Sequence, residues 1–256
     1  MEKRLRLIFV SLLVLLFCQT AGAQGKVYTR KARLADFPTR TVKVAGGGNP
    51  LLDITFREEI STRWRISPYE FCTAGEMEQL KGDNSLYFLY LGVDSGITYI
   101  VLEKGGNPQA ENNLSRPFEV VRVPISCAGA PSGRELMYMG AFIDILQAYV
   151  EDAMVSDQAA YAGLGFYDRN FKGKTVCLDP DKCDELYMQA DSDTLICVTV
   201  SPLEPGPEMK CYRMLISSDT HELFSFRESK YKTGKETEFS ENEIKRISKN
   251  NEFTGE

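Results

Sequence analysis

The sequence predicts an α/β fold, or an α+β variant of it, made of two similar β-α-β-α-β-β units whose mixed sheets pack against helices. Three observations carry this reading. Strand-like and helix-like segments alternate along the chain, which argues for layered sheets and helices. The order of segments in the first half recurs in the second, with the long helices starting about 85 residues apart. "EFCTAGEMEQL" also lines up with "TVCLDPDKCDEL" when Leu80 is matched to Leu186.

The first unit is assigned to residues 24–110. Thr41-Val42-Lys43-Val44 reads as a strand and leads into Gly46-Gly47-Gly48. Asn49 suits a helix N-cap and Pro50 the first helical position. Leu52, Phe56, Ile60 and Trp64 then recur every four residues along one helix face. Tyr69–Cys72 is a short strand, and Thr73-Ala74-Gly75-Glu76 has the spacing of a capping box opening a helix to about Leu80. "SLYFLYLG" and "ITYIVLEKGG" are rich in aromatic and β-branched residues and read as paired strands. "KGGNPQAENNLSRP" has linker composition.

The second unit is assigned to residues 111–230. "FEVVRVPI" is its first strand, "SCAGAPSG" a small-residue turn, and Arg134 to Val155 a long helix. Met139, Phe142, Leu146, Tyr149 and Ala153 form its apolar stripe, with Asp144, Gln147 and Glu151 on another face. "KTVCL", a helix capped by Asp179-Pro180, "TLICVTVS" and "CYRMLIS" complete the order, and "ELFSFR" adds a further strand. Residues 231–256 form a charged tail in which Ser240 and Glu243 mark a short amphipathic helix.

The N-terminus sets the expected compartment. Lys3, Arg4 and Arg6 precede an apolar run from Leu7 to Phe17, and Ala21-Gly22-Ala23 supplies an A-x-A site. That is the pattern of a secretory signal peptide over residues 1–23, cleaved to leave Gln24 first. Lipidation at Cys18 is the alternative, and it fits less well because bulky Phe17 stands where a small residue is needed. No later stretch has transmembrane length. Cleavage leaves 27 basic and 35 acidic residues, a net charge of −8, which speaks against nucleic acid as a partner.

The signal ending in Ala-Gly-Ala-Gln, with "NPLLDITFREEISTRWRISPYEFC" and "MLISSDTHELFSF", resembles exported Bacteroidetes proteins of unknown function. Each half is also similar in element order to the α/β domains of the TolB N-terminal and CsgG type. That similarity implies a role in envelope assembly or binding, and fold analogy alone establishes no activity.

Tested motif by motif, the chemistry is sparse. Gly46 and Gly48 fit the first two positions of a dinucleotide fingerprint, but Leu51 stands where the third glycine belongs, and the lysine of a P-loop is missing. Gly46, Gly47, Gly48 and Asn49 are therefore either an anion-binding turn or a plain strand-to-helix connection. Asp179, Asp181 and Asp184 either hold a loose Ca²⁺ or complement a helix dipole. The single histidine, His221, falls between two strands and reads as a turn residue held by polar neighbours. Zinc catalysis commonly needs more imidazoles than one. Glu59 and Arg63, at i,i+4, read as a surface ion pair.

Six cysteines follow the signal. A hairpin turn centred on residue 204 would set Cys197 opposite Cys211 at disulfide distance; the alternative is buried free thiols. The expected role is non-enzymatic interaction or assembly at the envelope, with no cofactor and an envelope protein as partner. Two alternatives stand beside it: a small-molecule binding protein with its site between the units, and a carboxylate-dependent hydrolase. Oligomeric state is left open.

Overall fold

A computed structural model of the protein describes residues 29–110, 115–233 and 237–250. The predicted signal peptide and Cys18 lie outside the described residues. The architecture is mixed α/β, with one five-stranded and one four-stranded sheet, each containing parallel and antiparallel neighbours.

The chain enters through α1 (Arg30–Leu34) and a 3₁₀ turn at Phe37–Thr39. It continues through β1 (Val42–Ala45), α2 (Pro50–Arg63), β2 (Tyr69–Phe71), α3 (Ala74–Leu80), β3 (Tyr87–Asp94) and β4 (Ile97–Lys104). The local signals act as expected. Asn49 Oδ1 accepts from the Leu52 amide at 3.2 Å, and Thr73 and Glu76 close a reciprocal capping box. Leu52, Phe56 and Ile60 are the buried face of α2.

β5 (Phe118–Cys127) departs from the two-unit reading. It closes the first sheet, in the order β2-β1-β3-β4-β5, pairing antiparallel with β4 from Ile97↔Cys127 to Lys104↔Phe118. The segment read as a linker is thus a connection within one sheet, and its first residues are tied down: Gly105 and Gly106 donate to the Leu86 and Lys81 carbonyls. The physical reason is proximity. A strand that follows β4 in sequence meets the open edge of β4 before any other partner. The second half therefore repeats the element order of the first without repeating its sheet.

After β5 come α4 (Arg134–Met137), α5 (Met139–Val155), α6 (Asp157–Ala162) and a 3₁₀ turn at Gly163–Phe166. The helix expected from Arg134 to Val155 is broken at Tyr138. α5 is buried nearly all round, not along one stripe: Gly140, Ile143, Ile145, Gln147 and Val150 are covered as well as the five predicted positions. It packs on β5, α1, α2 and α6.

The second sheet has the order β6-β7-β8-β9, from β6 (Thr175–Cys177), β7 (Thr194–Val200), β8 (Lys210–Ser217) and β9 (Leu223–Lys230). α7 (Pro180–Gln189) links β6 to β7. One apolar core runs from α1 and the first sheet through α5 to Ile196, Val198, Tyr212, Met214 and Ile216 of the second. The outer face of that sheet, Leu195 and Leu215, is covered by Phe239 and Ile247 of the tail, whose helix α8 spans Glu241–Asn250. Among the described residues, no helix is long and apolar enough to cross a membrane.

Candidate functional site

The glycine turn after β1 is filled by its own helix. Gly47 and Gly48 donate their amides to the two carboxylate oxygens of Asp53, at 2.7 and 3.1 Å. A Cβ on Gly46 would stand 2.4 Å from the same carboxyl carbon, and Gly48 has φ +92°. The amides that an anion would need are already satisfied by a negative group, so the anion-binding reading of Gly46, Gly47, Gly48 and Asn49 is replaced by a self-closed turn.

The aspartates of α7 are likewise consumed. Asp179 caps the helix, accepting from the Asp181 and Lys182 amides. Asp181 and Asp184 turn toward Arg134, which donates to them at 2.9 and 2.8 Å, and the Tyr138 hydroxyl also donates to Asp184. Burial and that carboxylate push the Tyr138 phenol well above its ordinary pKa. Arg134 and Tyr138 thus anchor α4 to Asp181 and Asp184 of α7, through a cation supplied by the protein. Among the described residues no His, Cys, Asp and Glu cluster is arranged to hold a metal.

The hairpin register overturns the disulfide. Cys197 lies opposite Leu215 and Val200 opposite Tyr212, so Cys197's partner is four residues beyond Cys211. Cys211 instead faces Ser229 of β9, and its thiol donates to the Thr237 carbonyl at 3.3 Å. An even slip keeps every side chain on its predicted face, so Ile196, Val198 and Val200 still share the core with Tyr212, Met214 and Ile216. All six cysteines after the predicted cleavage site are free thiols. Burial pushes Cys183 up to about 12 and Cys211 up to about 11, which keeps them as poorly reactive thiols.

One cluster was not legible in the sequence. His221 Nδ1 lies 2.8 Å from Asp144 Oδ2, and Arg63 donates to that same oxygen at 2.8 Å and to Glu59 at 2.6 Å. The imidazole stacks on Tyr187, with ring centroids 5.4 Å apart, and His221 itself has φ +60°. Glu59–Arg63 is therefore part of a chain of charges joining α2, α5, α7 and the β8–β9 turn. An aspartate-held histidine is two thirds of a hydrolytic triad. The nearby hydroxyls are engaged elsewhere: Ser217 donates to Asp219 and Ser218 to the Asp191 carbonyl. The cluster clamps α2 to α5, and α5 to the β8–β9 turn of the second sheet.

One space that can admit another molecule lies between the sheets. A cleft of about 580 Å³ has one wall from β4 and β5 and the other from β8 and β9, with the 3₁₀ turn after α6 at one side. Tyr99 and Tyr212 meet across it, hydroxyl to hydroxyl at 3.3 Å and edge to face. Arg122 reaches in and binds Asp94 at 2.7 Å while also pairing with Glu119. The Glu119 hydrogen bonds raise the Arg122 pKa, and the Arg122 and Ser95 hydrogen bonds hold Asp94 below the usual carboxylate range. The cleft thus presents a fixed guanidinium, two phenols and a rim of mixed charge that includes Glu208, Lys210 and Glu228. Such a set can hold a partner by hydrogen bonds and stacking.

No protein-family model, no curated protein and no solved structure matches this chain.

Proposed function

We propose that the chain is an exported, non-enzymatic interaction or assembly protein of the cell envelope that engages its partner through the cleft between the two sheets. The cleft carries the reading: each sheet supplies one wall, and its floor holds the Tyr and Arg side chains that dominate binding energy at protein interfaces. The basic, apolar and A-x-A pattern of residues 1–23 supports export. A second reading, a small organic ligand in the same cleft, is favoured by its volume, which lies in the range of small-molecule sites.

A photo-crosslinking residue at exposed Glu208, on the cleft rim, tests this in the native host. The expected result is a discrete protein adduct in the envelope fraction, on a chain whose N-terminus is Gln24, and its loss when Arg122→Glu replaces the cleft guanidinium with a carboxylate. A full-length chain confined to the cytoplasm overturns the export reading. An envelope chain that gives no adduct but co-purifies with a small molecule shifts the conclusion to the second reading.

A further inference from the structure

A second cavity, of about 320 Å³, opens at the end of the first sheet. Thr98 lines it, whereas Ile97 and Tyr99 line the inter-sheet cleft. Successive strand residues point to opposite faces, so the two spaces lie on opposite sides of β4.

Its place follows from the topology. The chain leaves β1 through α2 to reach β2 on one side, then returns through α3 to β3 on the other. Leu52 and Phe56 of α2 pack with Val44 and Leu89, while Met77 of α3 packs with Ala45 and Phe88. Helices on opposite faces make the carboxyl ends of β1 and β3 a switch point, where diverging connections leave a crevice suited to ligands. Asn49, Leu52 and Leu91 stand around that point, and all three line the cavity.

The wall facing them carries Glu135, which is 5% exposed. Its carboxylate accepts only from neutral groups, the Gly133 amide at 3.1 Å and the Ser132 hydroxyl at 3.4 Å. Neighbouring Arg134 is turned away to Asp184 and Asp181. Asp144 and Asp184, by contrast, each meet an arginine guanidinium. A buried carboxylate with no opposing charge is costly to maintain, and an incoming cation removes that cost.

We infer that this cavity is a binding site for a small organic ammonium compound, with Glu135 as its counter-ion, Thr98 and Asn49 as hydrogen-bonding groups, and Leu52 and Leu91 against its apolar body. The site does not depend on the partner proposed for the cleft. Cys127 lines the same cavity and is half-buried, which makes its thiol a reporter of occupancy.

The probe is cyclohexylmethylammonium, titrated calorimetrically into the mature chain, with cyclohexylmethanol as the neutral isostere. The ammonium compound binds saturably and slows iodoacetamide alkylation of Cys127 but not of Cys72, which lies outside the cavity. The alcohol binds at least about tenfold more weakly, and Glu135→Gln, which keeps an acceptor for the Gly133 amide, weakens ammonium binding roughly ten- to a hundredfold. If Glu135→Gln does not fold, Val93→Trp at the exposed rim of the cavity closes it with Glu135 intact and abolishes both binding and protection. Equal binding of amine and alcohol, undiminished binding to a folded Glu135→Gln or to Val93→Trp, or no saturable binding to the unsubstituted chain overturns the assignment.

Discussion

The helices α2 and α5 occupy corresponding places in the two halves, each after a strand and a glycine turn, yet they have opposite environments. α2 buries Leu52, Phe56 and Ile60 and leaves Leu51 and Ile54 more than half exposed. α5 buries eleven of its seventeen residues, among them Gln147, which accepts from the Arg65 amide and donates to the Arg63 carbonyl. The first is a cover on one sheet; the second is the shared centre of the molecule. Helices in corresponding places take different roles because α5 is the more apolar of the two and follows a strand that joined the first sheet, which sets it between the sheets.

The largest expected effect tests that contrast directly. Phe142→Ala in α5 empties a fully buried site and costs about 3–5 kcal/mol. Ile54→Ala on the open side of α2 stays within about 0.5 kcal/mol. Urea unfolding of both variants measures the difference, and near-equal losses would break the comparison.

The two glycine turns that precede α2 and α4 provide a finer test. Each contains one left-handed glycine, Gly48 at φ +92° and Gly133 at φ +88°, and each is closed by an acid from the helix that follows, Asp53 or Glu135. At neither glycine would a Cβ meet another atom within 4 Å, so Gly48→Ala and Gly133→Ala isolate backbone strain. Both should lose about 1–2 kcal/mol, and by similar amounts. A marked inequality in their melting would show that the turns are not equivalent devices.

The smallest effect concerns pH. Asp36 accepts from Lys104 at 2.7 Å and Tyr87 at 2.8 Å, holding α1 to the first sheet. Burial works against its charge, but those hydrogen bonds prevail and keep its pKa below the ordinary carboxylate value. A depressed folded-state pKa contributes stability above the unfolded value, and that contribution is lost as pH falls through the folded value. Asp36→Asn should therefore flatten the acid limb of a stability–pH curve measured by urea midpoint, with little change in its shape above pH 6.

Much of the local structure was legible from the chain. Asn49, Thr73 and Asp179 cap the helices they were expected to cap, and Ile196, Val198 and Val200 face the core with Tyr212, Met214 and Ile216. The site was less legible. The clamp joins Arg63, Asp144 and His221, which are 81 and 77 residues apart in the two bonded pairs, and no spacing rule spans that distance. Glu135 sits two residues beyond a visible glycine turn, but nothing near it announces burial.

By itself, then, the sequence determined the α/β class, the order of elements, the caps and the faces of the strands. These depend on hydrogen bonds and side-chain periodicities that close within a few residues. Tertiary structure alone decided that β5 completes the first sheet, that Cys197 meets Leu215 and not Cys211, and that Glu135 lies buried without a cation. Those outcomes rest on competition between strand edges and on which surfaces cover one another. Joining distant segments costs little more than joining near ones, so the surfaces that cover Glu135 are selected by packing and not by chain separation.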